Sequence, residues 1–153
     1  MSAISTHVLD IAAGCPAAGM RVRLERLARA GAQEEAGPEE KAGAEKAGAE
    51  KAGAQELAAA TTDAGGRITS LGPEVVEPGT YRLIFDTGGY LARQRDGSHG
   101  DSGSHGDTAG ENGTESAAFF PEVTVTFAVA DGGEHYHVPL LMSPFGYSTY
   151  RGS

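Results

Sequence analysis

The sequence contains one cysteine, no tryptophan, and only five tyrosines and five phenylalanines. A lone thiol forms no internal disulfide, so the usual mark of an oxidising compartment is missing. To act as a nucleophile, Cys15 would need a neighbouring base and an electropositive site. Its neighbours Gly14 and Pro16 instead favour a turn. We therefore expect a structural or incidental role for Cys15.

Long apolar runs and address signals are also missing. No run approaches the roughly 20 apolar residues that span a bilayer as a helix. The N-terminus shows no basic segment followed by an apolar one, as a secretory signal would. The closing Arg151-Gly152-Ser153 differs from a Ser-Lys-Leu peroxisomal address. We therefore expect a cytoplasmic protein with no membrane partner, and the 153 residues favour a single domain.

The net charge of −9 is concentrated in two segments that hold few large apolar residues, 31–56 and 96–116. They carry net charges of −4 and −5, so the remaining 106 residues are formally neutral. The acidity therefore gives no reason to expect a cationic partner for the folded body. The lack of any basic cluster argues against a nucleic-acid partner.

Segment 31–56 contains a five-residue repeat, Lys-Ala-Gly-Ala-Glu, which starts at Lys41, Lys46 and, with a final glutamine, Lys51. A period of five matches neither a helix nor a strand. Each glycine costs about 1 kcal/mol in a helix relative to alanine, and no large apolar side chain is available for burial. We predict a flexible, solvated insertion. The functional alternative is a docking segment for another protein.

Segment 96–116 repeats Ser-His-Gly-Asp, with its histidines at His99 and His105. A tract of this kind can hold a metal ion weakly. A specific metal site needs convergent ligands at fixed geometry, and so many glycines and serines do not preorganise ligands. We predict a disordered loop and no metal.

The rest of the chain alternates apolar and polar residues over short stretches, as half-buried strands do. The second and third predicted strands would form a hairpin whose loop is the 31–56 insertion. One short helical turn is expected at 73–78, between two prolines. The stretches predicted as strands are 5–9, 20–27, 57–62, 81–87, 119–130, 135–142 and 147–150.

Two features constrain how the last strands pair. The glycine-rich stretch 131–133 is typical of a hairpin turn and predicts that 135–142 pairs with 119–130. Pro139 lacks a backbone N–H, so the second of these strands needs a bulge or an edge position there. Several short strands separated by turns, with almost no helical periodicity, predict an all-β sandwich.

Alternation in the penultimate strand separates one histidine from the core. Tyr136, Val138 and Leu140 share the core face, which places His137 on the opposite face. An imidazole among apolar neighbours on that second face indicates a pocket or a surface covered by another subunit. The plainer alternative is a solvent-exposed or satisfied histidine.

The other candidate residues are weak signals when taken alone. His7 lies in a short strand, and Arg67 follows a Gly-Gly turn. No Gly-x-Ser-x-Gly elbow supports a serine hydrolase of the α/β type. No His-Glu-x-x-His spacing supports a zinc site. The residues by themselves therefore lead to an all-β sandwich with a few suggestive histidines.

Three separated blocks of the chain, 4–10, 62–68 and 135–153, resemble the signature blocks of the 5-hydroxyisourate hydrolases, transthyretin-related enzymes of urate breakdown. The closing Tyr150-Arg151-Gly152-Ser153 is the most specific part, since it is similar to the feature that separates these enzymes from hormone-carrying transthyretin. The family usually has short loops in place of the two insertions. It also commonly has Asp-Gly-Arg where this chain has Gly65-Gly66-Arg67, a change that keeps the turn and the arginine.

The resemblance implies a transthyretin-like two-sheet β-sandwich with one short helix and two low-complexity loop insertions. It implies a homotetramer with active sites at the dimer–dimer interface. The reaction would be hydrolysis of 5-hydroxyisourate, a cyclic amide, to 2-oxo-4-hydroxy-4-carboxy-5-ureidoimidazoline, with no cofactor or metal. His7 or His137 would be the general base, and Arg67 would hold the ring and its developing charge. The site residues implied are His7, Arg67, His137, Tyr150, Ser148 and Thr149.

Two other functions remain open. One is a non-enzymatic transthyretin-like carrier of a small aromatic ligand, which would have no chemical need to keep His7, Arg67, His137 and the closing Tyr-Arg-Gly-Ser together. The other is an interaction module whose working parts are the repeats. Deleting 31–56 and 96–116 tests the second, because unchanged hydrolysis would leave the repeats as spacers.

Overall fold

The computed structural model describes residues 2–28, 53–97 and 118–153. Most of both predicted insertions, with their docking and metal-tract alternatives, lies outside the described residues. The described residues form ten strands and one helix. In chain order these are β1 (Ile4–Asp10), β2 (Cys15–Pro16), β3 (Arg21–Leu27), β4 (Ala54–Thr61), β5 (Arg67–Ile68), β6 (Gly79–Phe85), α1 (Thr87–Gly97), β7 (Val123–Val129), β8 (Tyr136–His137), β9 (Leu140–Ser143) and β10 (Gly146–Thr149).

One sheet is antiparallel throughout, with strand order β4-β3-β6-β7. The pairing of β3 with β4 confirms the predicted hairpin. β4 begins at Ala54, before its predicted start, so the last residues assigned to the first insertion belong to this ladder. On β6, Tyr81, Leu83 and Phe85 are buried on the inner face, as their alternation predicts.

The second sheet is built around β1. On one side of β1, β8 and β9 run parallel to it, and β10 pairs with β9 beyond them. On the other side, β2 and β5 run antiparallel to β1. Ile4 and Val8 of β1 are fully buried in the core between the two sheets. By alternation, Ser5, His7 and Leu9 lie on the outer face of this sheet.

The hairpin predicted at 131–133 is wrong. β7 pairs with β6, whereas β8 and β9 pair with β1, so the turn carries the chain from one sheet to the other. Tyr136 fixes this crossing, because its hydroxyl accepts hydrogen bonds from the backbone N–H groups of Ala130 and Asp131 and donates to the Asp131 carbonyl. Pro139 falls between β8 and β9, where the strand is interrupted, as its missing N–H predicts.

The helix lies at a different place from the predicted turn. Residues 73–78 are not helical, since a proline disfavours helical geometry in the residue before it. α1 follows β6 directly, and Asp86 caps it by accepting a hydrogen bond from the Gly89 N–H at 3.0 Å. Tyr90 is buried, and its hydroxyl donates to Asp10 at 3.1 Å. The cap and the buried Tyr90 side chain stabilise this helix although it contains Gly88 and Gly89, which have low helix propensity.

The fold is therefore the predicted two-sheet β-sandwich with one short helix. Among the described residues, no helix has the length and apolar character needed to cross a membrane. Within the same ranges, no group of three or more His, Cys, Asp or Glu side chains is arranged to hold a metal ion. The largest fully buried side chains are Tyr81, Tyr90, Phe85, Ile4, Met20 and Leu24.

Candidate active site

The outer face of β1 collects polar side chains that lie far apart in the sequence. His7 is paired with Arg67 of β5, and Ser5 is paired with His137 of β8. Directly paired residues point to the same face of a sheet. Arg67, His7, Ser5 and His137 are therefore neighbours on one surface, which is the surface that faces away from the core.

A tight turn holds Arg67 in this position. The Asp63 carboxylate accepts hydrogen bonds from the backbone N–H groups of Gly65 and Arg67, both at 2.9 Å. Gly66 has a φ of 71°, and a Cβ at this position would overlap the Val8 carbonyl oxygen. Only glycine meets both requirements without strain. The turn therefore places Arg67 at the surface beside His7, with its side chain exposed.

His137 is half-buried, and its environment disfavours the imidazolium form. Burial, followed by the positive charge of Arg67 and then by His135 and His7, lowers the pKa of His137 below its ordinary value of 6.5. Desolvation and nearby positive charge both oppose protonation of an imidazole. His137 is thus a neutral imidazole at neutral pH, able to accept a proton.

Ser5 contacts His137 directly, and His135 is connected to it through Ser5. Ser5 Oγ lies 2.9 Å from His137 Nδ1 and 2.8 Å from His135 Nε2. His135 Nδ1 lies 3.2 Å from the carbonyl oxygen of Ser2. Sequence reasoning assigned no role to Ser5 or His135, although both lie in the matching blocks. The available signal for Ser5 was its position two residues before His7, on the same face of a strand.

The C-terminal tail returns to His137. Gly152 forms a bridge with His137, its N–H donating to the His137 carbonyl at 2.8 Å. The Thr149 hydroxyl donates to the Pro139 carbonyl at 2.7 Å. Tyr150 is exposed over 59% of its surface, so its ring is available to a ligand or to another subunit. The tail therefore lies beside His137 within the single chain.

Ser148 and Thr149 lie on opposite faces of β10. Ser148 pairs with Leu141, which pairs with Leu9, so Ser148 shares the outer face with His7. Thr149 pairs with the fully buried Leu140 instead. Of the two hydroxyls, that of Ser148 therefore lies on the same face as the histidines.

A groove of about 240 Å³ runs along the tail where it passes β7. It includes three of the predicted site residues, His137, Thr149 and Tyr150, whereas His7 and Arg67 lie on the outer face of the sheet. His137 belongs both to this groove and to the outer face of the sheet. The lining residues are Val125, Thr126, Phe127, Ala128, Tyr136, His137, Val138, Thr149, Tyr150 and Arg151.

Gly152 is placed so that it has no room for a side chain. A Cβ at residue 152 would overlap Cδ2 of the His137 ring and lie 3.1 Å from its Cγ. We expect Gly152→Ala to displace the His137 imidazole and to reduce kcat by up to about 100-fold, since a misplacement of about 1 Å can cost that much. The rate should be measured alongside the melting temperature. Gly133→Ala is the matched control, because the same added methyl group would meet no atom closer than 3.4 Å there. A fully active Gly152→Ala variant would show that the ring position is not critical.

This arrangement of two imidazoles and a guanidinium suits acid–base chemistry. His7 and His137 supply two imidazoles, the side chain that most often serves as a general acid or base. The Arg67 guanidinium is permanently charged and presents several planar N–H donors. Cys15 is exposed in β2, and the structural or incidental role expected for it stays a prediction. The cluster therefore combines proton transfer with stabilisation of negative charge.

Comparison with known proteins identifies relatives along almost the whole chain. Residues 4–152 match the family model described as the HIUase/Transthyretin family. A 5-hydroxyisourate hydrolase of Caulobacter vibrioides is 36% identical over 153 residues, covering 100% of both chains. The structure of Klebsiella pneumoniae 5-hydroxyisourate hydrolase superposes with a TM-score of 0.62 at 29% identity, covering 98% of each chain. Transthyretin from Sparus aurata shares the fold with a TM-score of 0.64 at 24% identity, over 99% of this chain and 97% of that one.

Proposed function

This chain belongs to the HIUase/Transthyretin family, and we propose that it hydrolyses 5-hydroxyisourate in urate degradation, using the outer face of β1 as its active site. The family membership and the names of its relatives support the reaction. The single structural observation that carries the site is the convergence of His7, Arg67 and His137 on one face through the pairing of β1 with β5 and β8.

Hydrolysis of the cyclic amide requires water to attack a ring carbonyl and the ring C–N bond to break. The attacking water must lose a proton, and the departing nitrogen must gain one. A neutral imidazole suits the first task, and the imidazolium that forms suits the second. His7 and His137 are both candidates for these steps. The lowered pKa of His137 supports its presence in the neutral form before reaction.

Negative charge develops on the carbonyl oxygen as water attacks. The Arg67 guanidinium is a fixed donor for that charge and for the acceptor atoms of the ring. Its backbone N–H is held by the Asp63 carboxylate, so the side chain starts from a fixed point beside His7. Ser148 and Tyr150 are proposed to contact the substrate from the tail, with Thr149 supporting it through its bond to the Pro139 carbonyl.

We further propose a homotetramer in which a second copy covers the outer face. In the single chain Arg67 is exposed, and so are the large side chains of Phe145 and Tyr150, which flank β10. Phe145 is exposed over 84% of its surface. Charge stabilisation is stronger where water is excluded, and a second copy would provide that exclusion. Light scattering after gel filtration tests the assembly, and a monomer that is fully active would contradict it.

The pKa of His137 provides a test of the site that needs no substrate. Because Arg67 contributes to lowering that pKa, Arg67→Gln should raise it, and an NMR titration of the His137 ring protons measures the midpoint. In the wild type the neutral, proton-accepting form is present above the lowered pKa and is lost as the pH falls through it. The control is Arg21→Gln, which removes the same positive charge from the other sheet. An equal midpoint in wild type and Arg67→Gln would place Arg67 too far away to act on His137.

Catalytic turnover separates the proposed enzyme from a carrier with the same fold. 5-Hydroxyisourate is generated from urate with urate oxidase, in large molar excess over the protein, and its ultraviolet absorbance is followed. An enzyme accelerates the decay of all the substrate, whereas a carrier binds at most one equivalent per site. Decay at the spontaneous rate, whatever the protein concentration, would refute the proposed function.

A further inference from the structure

Ser5, His135 and Ser2 form a continuous hydrogen-bonded chain that ends on His137. The chain runs from the Ser2 carbonyl oxygen to His135 Nδ1, from His135 Nε2 to Ser5 Oγ, and from Ser5 Oγ to His137 Nδ1. The three contacts measure 3.2, 2.8 and 2.9 Å. Ser5 is buried, and it is the direct partner of His137 in the parallel pairing of β1 with β8.

The direction of every hydrogen bond in this chain follows from the Ser2 carbonyl group, where the chain begins. The Ser2 carbonyl oxygen can only accept, so His135 Nδ1 must carry a proton. In a neutral ring His135 Nε2 then has none, and it accepts from the Ser5 hydroxyl. The hydroxyl has a single proton, so its oxygen accepts from His137 Nδ1. The remaining nitrogen of a neutral His137, Nε2, is therefore unprotonated.

We infer that Ser5 and His135 are positioning residues that hold His137 in the tautomer with its proton on Nδ1, leaving Nε2 as the proton-accepting atom. The nitrogen of an imidazole that carries the proton is set by the hydrogen bond of the other nitrogen. With the opposite tautomer, Nε2 would carry a proton and would not accept one from water. The catalytic role of this tautomer rests on the proposed function, whereas the assignment of the proton to Nδ1 rests only on the hydrogen bonds.

A structural role for Ser5 makes a different prediction. If its hydroxyl only tied β8 to β1, its removal would lower stability without changing the protonated nitrogen of His137. Thr6 provides the matched control, since it is buried, adjacent on the same strand, and donates to the Val138 carbonyl at 2.7 Å. Thr6 lies on the opposite face of β1 from Ser5. Thr6→Val removes a comparable hydrogen bond without touching the chain of contacts to His137.

Nitrogen NMR of the protein labelled with ¹⁵N-histidine reports the tautomer directly, with the His137 signals assigned from His137→Gln. We expect the wild type to carry the proton of neutral His137 on Nδ1, and Thr6→Val to match it. Ser5→Ala should shift His137 towards the Nε2-protonated form, and His135→Ala should shift it in the same direction to a smaller extent. A wild-type ring protonated on Nε2, or an unchanged ring in Ser5→Ala, would overturn the inference. An unchanged ring in His135→Ala would remove His135 from the chain.

Kinetics on the same variants connect the tautomer to the reaction. Ser5→Ala should lower kcat by about 10- to 100-fold with little change in KM, which is the size of loss found at metal sites when the hydrogen-bond partner that orients an imidazole is removed. Thr6→Val should keep wild-type kcat. A Ser5→Ala variant with an altered tautomer but wild-type kcat would contradict the positioning role. Wild-type protein that fails to accelerate the reaction would refute the proposed function, while the NMR result would still decide the tautomer.

Discussion

His137→Ala should lower kcat for 5-hydroxyisourate hydrolysis by about 10² to 10⁴, which is the usual contribution of general acid–base catalysis. The structural reason is that His137 is a half-buried, neutral imidazole held by Ser5 and bordered by Arg67 and the C-terminal tail. Its side chain lies on the outer face of the sheet, opposite the core residues Tyr136 and Val138. The loss of rate should therefore come without unfolding.

The measurement is a steady-state rate together with circular dichroism and a melting curve. His105→Ala is the control, because it makes the same chemical change in the segment that the sequence assigns to an insertion. It should keep wild-type turnover. His7→Ala is expected to lose rate as well, because His7 is the second imidazole of the cluster. If folded His137→Ala keeps wild-type turnover, His137 takes no part in the reaction.

Arg67→Ala is expected to lower kcat/KM by about 10² to 10³, the cost of removing one donor to a developing oxyanion. Arg67→Lys should recover only part of the loss, since lysine keeps the charge but lacks the planar set of donors. Arg67 is exposed and its backbone is fixed by Asp63, so neither change removes a core contact.

Two comparisons make this prediction specific. Arg21→Ala removes an exposed arginine from the other sheet and should leave kcat/KM unchanged. Arg67→Ala should also leave the melting temperature close to that of the wild type, because surface substitutions usually change stability by less than about 0.5 kcal/mol. An active Arg67→Ala variant would show that the ring and its charge are held by other groups.

The alternation of apolar and polar residues predicts the strands well, because a strand with one buried face needs an apolar side chain at every second position. Val22, Leu24, Tyr81, Leu83 and Phe85 all alternate, and all are buried. The same alternation does not show which of the two sheets a strand joins. The glycines of 131–133 predict a turn, but they fit a hairpin and a connection between the two sheets equally well. The Tyr136 hydroxyl that stabilises the connection bonds to backbone groups, which every residue has, so the sequence does not reveal it.

The position of the helix could not be predicted for a related reason. Gly88 and Gly89 have low helix propensity, and the residues that stabilise α1 act through tertiary contacts. Tyr90 packs in the core and reaches Asp10, a residue 80 positions earlier. The cap at Asp86 could have been read from the sequence, since aspartate is a favoured residue before a helix.

The site itself depends on pairing that no single segment reveals. His7, Arg67 and His137 are each weak signals in isolation, and the resemblance to a family supplied the reason to join them. The strand registers supply the physical reason, since β5 and β8 pair with β1 at the residues that bring the three side chains together. The contacts of Ser5 and His135 could not be predicted, because they depend on side-chain geometry within that register.

The most direct measurement compares the decay of 5-hydroxyisourate with wild-type protein and with the double variant His7→Ala, His137→Ala, both shown to be folded. If the outer face of β1 is the active site, the wild type accelerates decay in proportion to its concentration and the double variant leaves it near the spontaneous rate. A double variant that accelerates decay as the wild type does, or a wild type that gives no acceleration, would contradict the account.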